Sequence, residues 1–161
     1  MSQSPVSRLT LPNGQSLSRM AYGVWRLSEA SDTSVKANLA RIEACLAQGI
    51  TTFDHAAIYG DYRCESLFGE TLKAHPGLKS KIEIVTKTDI MLLSQQWPTT
   101  RVKHYDTSPA HVRASVDRSL QRIGVDVIDL LLIHRPDPLM DAQALGECLA
   151  GLISSGTVQI G

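Results

Sequence analysis

Apolar residues recur along this chain in two alternating rhythms. Short runs rich in Val, Ile and Leu, the pattern of buried strands, fall at 21–24, 50–54, 82–87, 127–134 and 157–160. Between them apolar residues step by three and four, as one face of a helix requires. Val35, Leu39, Ile42 and Leu46 form the first such stripe, with Asp32 as the expected cap and Gly49 as the stop. Leu67, Phe68 and Leu72 mark a second helix over Cys64 to His75, halted by Pro76-Gly77. Ser108-Pro109 opens a third, because a serine oxygen can accept from an orphan amide while proline at the first helical position has no amide to satisfy. Its stripe is Val112, Val116, Leu120 and Ile123, and Gly124 closes it. A fourth, Asp141 to Ser155, carries Leu145, Leu149 and Leu152. Ahead of all this, Leu9, Leu11 and Leu17 flank Asn13-Gly14, which predicts a hairpin over Ser7 to Arg19 with a two-residue turn.

The order is therefore a hairpin, four strand–helix units and the start of a fifth strand. Such alternation predicts a parallel α/β sheet, and the unbroken run Leu130 to Ile133 predicts a strand buried on both faces. Periodicity does not separate a doubly wound open sheet from a (β/α)8 barrel; length favours the open sheet, since a complete barrel takes roughly 250 residues. One connection is unusually long. Thr88 to Thr107, with Trp97, His104 and Tyr105, is expected to be a binding lid.

Composition narrows the partners. Sixteen basic and sixteen acidic residues cancel, and no basic run suggests nucleic acid or an anionic membrane surface. Met1 to Gln15 is polar and holds Pro12 and Gly14, unlike a signal peptide, and no apolar run reaches the roughly 18 residues of a membrane span, so a cytoplasmic location is expected. Cys45, Cys64 and Cys148 form no CxxC pair and are expected to be reduced packing residues. His55, His104 and His134 lack metal-ligand spacing, so no metal site is expected.

In parallel α/β folds ligands gather at the carboxyl ends of strands. Asp54, Tyr59, Lys87 and His134 all fall there, on three adjacent strands. Singly, each has an ordinary structural role: a turn cap, a lysine reaching solvent, an interior histidine. Together they make a proton-donating site. An ammonium beside a phenol favours the phenolate and so makes the phenol a readier acid. Asp54 would hold the lysine, and His134 could donate a hydrogen bond to a carbonyl oxygen and orient the carbon for hydride attack.

The segments Phe53-Asp54-His55-Ala56-Ala57-Ile58-Tyr59-Gly60, Val85-Thr86-Lys87, Leu131-Leu132-Ile133-His134-Arg135-Pro136 and Gly156-Thr157-Val158-Gln159-Ile160-Gly161 resemble the aldo-keto reductase family over essentially the whole chain. His134-Arg135-Pro136-Asp137-Pro138 is similar to a bacterial branch of it. The resemblance implies the N-terminal half of a TIM barrel, residues 1–161 being one partial barrel domain whose base is closed by the hairpin. It implies a catalytic tetrad of Asp54, Tyr59, Lys87 and His134, with Tyr59 as the general acid. It also implies NADPH contacts at Gly23, Trp25 and Asp54, and a carbonyl site lined by Trp25 and His134, to which the long connection is expected to add Trp97. Family members continue with a Ser-Asn pair and three further strands that hold most of the NADPH. The expected activity is thus reduction of an aldehyde or ketone, lost in the half chain alone, with self-association or a complementary half-barrel as the expected partner. Two alternatives stand beside it: a non-catalytic half-barrel module, and a lyase using Lys87 as a Schiff-base nucleophile.

Overall fold

The computed structural model describes residues 6–161; the expected lack of a leader over Met1 to Gln15 rests partly on residues 1–5, which lie outside the described residues. Strands β1 (Arg8–Thr10) and β2 (Ser16–Ser18) form an antiparallel hairpin. Its turn is not the two-residue type. Leu11 and Gln15 still pair, and the Gly14 amide donates to the Leu11 carbonyl at 2.9 Å. Pro12 takes the position where its fixed φ suits a tight turn, and only Gly14, at φ 87°, enters the left-handed region.

The four predicted strands form one parallel sheet. β3 (Ala21–Gly23), β4 (Thr52–Asp54), β5 (Glu83–Thr88) and β8 (Leu130–Ile133) lie side by side in chain order. That order decides what periodicity left open: a doubly wound sheet reverses its strand order at a switch point, whereas here each unit adds to the same edge, as in a barrel. Beyond β8 the chain begins a fifth parallel step, with Ile128 bridged to Val158 and the Leu131 amide donating to the Ile160 carbonyl at 2.9 Å.

The helices are α1 (Val35–Ala47), a four-residue turn α2 (Tyr59–Tyr62), α3 (Cys64–Ala74), α4 (Pro109–Ile123) and α5 (Ala142–Ser154). Serine, not Asp32, caps α1: Ser34 Oγ accepts from the Ala37 amide, and Asp32 instead accepts from the Ser34 amide at 2.8 Å. Ser108 and Gly124 cap α4 as expected, and Asp141 caps α5, accepting from the Ala144 amide. α1 packs on α3, α3 on α4 and α4 on α5, so the long helices form one layer. Their apolar stripes close two cores, one around Ile42, Phe53, Phe68 and Leu72, the other around Val112, Val116, Leu131 and Leu152. The α3–α4 contact is so close that a Cβ on Gly69 would sit on the Arg122 carbonyl.

The other face of the sheet is only partly covered, with Thr52 and Val85 buried on it, which corrects the expectation for β8. Leu131 is buried against the helices, but Leu132 on the opposite face is 38% exposed. An open concavity of about 450 Å³ runs along this face past Leu17, Thr52, Val85 and Asp54. The long connection is also more ordered than a loop: β6 (Ile90–Met91) pairs antiparallel with β7 (His104–Tyr105).

Candidate active site

Register brings the predicted residues together. Asp54 ends β4, Lys87 is the penultimate residue of β5, and His134 follows β8 directly, its amide donating to the Thr88 carbonyl at 3.0 Å. Lys87 Nζ donates to both oxygens of Asp54, at 2.7 and 2.8 Å, and to the His55 carbonyl at 2.8 Å. It also donates to the Tyr59 phenol oxygen at 3.0 Å. Because that oxygen accepts from the ammonium, its own proton is free to point elsewhere. The His134 ring stands edge-on to Tyr59, with centroids 5.9 Å apart. Burial, then the charges of Lys87 and Arg135, hold the His134 imidazole below its usual pKa against the pull of Asp54, so it is neutral near pH 7 and keeps one N–H to donate.

Tyr59 reaches this position through an unusual turn. Gly60, Asp61 and Tyr62 all have positive φ, at 61°, 54° and 65°. Gly60 has no room for a side chain, since a Cβ would collide with Ser28 and Cys64. For Asp61 and Tyr62 the conformation costs about 1–2 kcal/mol each. The long connection offsets that cost: the Leu92 amide donates to Tyr62 Oη at 2.9 Å and Gln96 Nε2 to the Asp61 carbonyl at 2.7 Å.

Trp25 lies beside the cluster, 60% exposed, its ring 6.4 Å from that of Tyr59. Gly23, exposed at the end of β3, pairs with Asp54 across the sheet. Trp97 goes elsewhere. Its ring packs on Tyr62 at 6.1 Å and carries Arg118 over its face at 4.5 Å, and among the described residues no aromatic or hydrogen-bond contact joins it to Tyr59, Lys87 or His134. The connection therefore braces the tyrosine turn rather than covering it.

Two polar residues beside the cluster had no signal in the pattern. His55 is fully buried against Phe68, and burial next to Lys87 pushes its imidazole down to about 3. Asp89, two residues beyond Lys87, is fully buried with φ 107°, and burial raises its carboxyl to about 6. Asp129, at the opposite end of the sheet, accepts from the Ile84 amide at 2.7 Å and from Gln15 at 2.6 Å. Among the described residues no cluster of metal-ligating side chains occurs.

The model of the aldo/keto reductase family matches residues 19–160. The chain belongs to that family. A 6-dehydroglucose reductase of Agrobacterium fabrum is 51% identical over 96% of this chain, and the oxidoreductase YdhF of Escherichia coli is 42% identical over the same share. This chain covers 52% and 51% of those relatives, so it spans about half the length of the curated relatives it matches. Among solved structures, a glycerol dehydrogenase of Gluconobacter oxydans superposes with a TM-score of 0.74 at 27% identity, over 97% of this chain and 47% of that one. A holo aldo-keto reductase of Bacillus halodurans gives 0.79 at 22% identity, over 97% and 50%. The fold is thus the N-terminal half of an aldo-keto reductase barrel. Among the described residues no helix is long and apolar enough to cross a membrane.

Proposed function

We propose that this chain carries the acid–base half of an NADPH-dependent carbonyl reductase, as one partial barrel domain over residues 1–161. The supporting observation is Lys87, whose ammonium contacts the Asp54 carboxylate and the Tyr59 phenol oxygen at once. A Schiff-base nucleophile needs a free amine, and this one is engaged in four contacts.

The residues fit a nicotinamide cofactor in part. Trp25 presents an exposed aromatic face next to Tyr59, and the concavity along the sheet reaches Asp54, with Gly23 leaving that edge open. When bound, the cofactor supplies a hydride to the carbonyl carbon. This chain's own residues supply the rest: neutral His134 donates a hydrogen bond that orients the carbonyl oxygen, and Tyr59 gives that oxygen its proton. The phenolate left behind is stabilised by Lys87, which Asp54 holds in place. The open concavity on the sheet and the exposed Leu132 support a partner, either a complementary half-barrel or a second copy, and three buried free cysteines suit a cytoplasmic setting. The identity to the Agrobacterium enzyme makes 6-dehydroglucose the first carbonyl to assay.

The test takes residues 1–161 alone and joined to a complementary half-barrel, with NADPH titration, an aldehyde panel and size-exclusion chromatography. The chain alone should self-associate and fail to turn over; the joined form should reduce aldehydes, and Tyr59→Phe should slow it about 10²–10⁴-fold with NADPH affinity near normal. A monomeric half chain that binds NADPH at micromolar level and reduces aldehydes contradicts the need for a partner, and full turnover in Tyr59→Phe contradicts the acid.

A further inference from the structure

Asp89 occupies a junction of three segments. It follows β5 two residues after Lys87, its carbonyl accepts from the Asp106 amide at 2.7 Å, where the long connection returns, and its Oδ2 accepts from the Arg135 amide at 2.8 Å. The side chain is fully buried, and its Oδ1 has no partner. A φ of 107° is a conformation that a non-glycine residue keeps only where its surroundings over-determine it. An asparagine or glycine would occupy that backbone more readily, so the carboxylate is what the position gains by being aspartate.

We propose that Asp89 is a positioning residue: its carboxylate clamps the segment that follows β8, and so sets the His134 ring against Tyr59 and Lys87. The clamp acts on the backbone next to His134. Thr88, the neighbour of Asp89, takes the His134 amide, and Asp89 takes the amide that follows, so two successive N–H groups are fixed to two successive residues of β5 and its end. A carboxylate makes a charge-assisted bond here, about twice as strong as that of a neutral acceptor. Protonation of Asp89 therefore loosens the site.

The charged groups around it divide by sign. Asp137, on the segment after β8, raises the Asp89 pKa, and Arg135 on the same segment lowers it, as do the amides of Arg135 and His134; burial outweighs both and lifts the carboxyl to about 6. Lys87 lies two residues back along the strand, tied to Asp54, and Asp106 on the returning connection faces His111 of α4 at 3.7 Å. The ordinary carboxylate value is about 3.9, so above pH 6 the ionised side chain costs stability and tightens the clamp. Between about pH 6 and 4 the native state takes up the proton first, which relieves that cost and releases the clamp.

This inference rests on reading Tyr59 and His134 as the substrate-facing pair, but its test records ring positions rather than turnover. NMR spectra of the 161-residue chain would follow the Arg135 amide proton and the NOE between the His134 and Tyr59 rings from pH 8 to 5. The expected result is an Arg135 shift with its midpoint near 6 and a weakening of the NOE through the same range. Asp89→Asn, whose neutral acceptor matches the protonated carboxyl, should show already at pH 8 the weakened NOE that the parent shows at pH 5, and should abolish the step. Asp89→Gly, which suits the backbone but removes the acceptor, should weaken the NOE at every pH and speed exchange of the Arg135 amide about tenfold, with the amides of α1 unchanged. An undiminished NOE in Asp89→Gly, or the same pH step in Asp89→Asn, overturns the proposal. An intact clamp in a protein that reduces no carbonyl counts against the functional reading alone.

Discussion

Strand β5 carries a charged residue near each end, and the two live in different settings. Glu83 opens the strand at the base, where Arg8 of the hairpin donates to it and the hydroxyls of Thr51 and Thr52 add hydrogen bonds. Lys87 lies near the other end, held to Asp54 and Tyr59 but beside a rim that includes exposed Trp25. At the base every polar partner belongs to another part of the same scaffold: Gln15 meets Asp129, Asp129 meets the Ile84 amide, and Asn13 reaches the Gln159 carbonyl at 3.3 Å. At the rim the donors of Lys87 are used, whereas the phenol proton of Tyr59 and the ring N–H of His134 have no hydrogen-bond partner among the described residues. One strand is thus closed by scaffold partners at its start and holds the cluster proposed for chemistry near its end, the division expected of barrel strands.

That contrast can be broken from either side. The largest effect belongs to the rim: Lys87→Met, in the chain joined to a complementary half-barrel, should cut carbonyl reduction about 10²-fold or more, because the phenolate loses its cation. Steady-state rates at fixed NADPH check it, and a rate near the parent's would remove the lysine from the chemistry. Next comes the base. Asp129→Ala leaves the buried Ile84 amide without an acceptor, so urea unfolding should show a loss of about 1–3 kcal/mol, while the His134–Tyr59 NOE stays as in the parent. A change in that NOE would mean the two ends are coupled through the strands. The smallest effect is expected at Arg8→Ala. Its ion pair with Glu83 is part exposed and Thr51 and Thr52 still serve the carboxylate, so the loss should stay under about 1 kcal/mol and shrink in high salt.

Sequence pattern located the scaffold well because helices announce themselves locally. Ser108-Pro109 and Gly124 act within one turn of the residues they cap, and the structure uses both as read. The meeting of Asp54, Tyr59, Lys87 and His134 was legible for a related reason: residues at strand ends share a rim whatever the exact register. What escaped depends on contacts distant along the chain. Nothing near Asp89 reveals that its carboxylate will meet Arg135, 46 positions on, and nothing near Trp97 reveals Arg118 and Tyr62 as its neighbours. Asp32 lost its cap to Ser34 by two residues, a difference set by which side chain reaches the Ala37 amide. The run Leu130 to Ile133 promised two buried faces, and only one is covered within the described residues.

The seat of Gly69 against the Arg122 carbonyl has a consequence for assembling such a structure from parts. Adjacent strand–helix units can be regarded as wedges whose width is fixed where their helices touch. A methyl group at position 69 would widen the wedge between α3 and α4, and the displacement would reach β4 and β5, which hold Asp54 and Lys87. Exchanging these units with those of another barrel should therefore succeed or fail on the size of this one residue, even where every rim residue is kept.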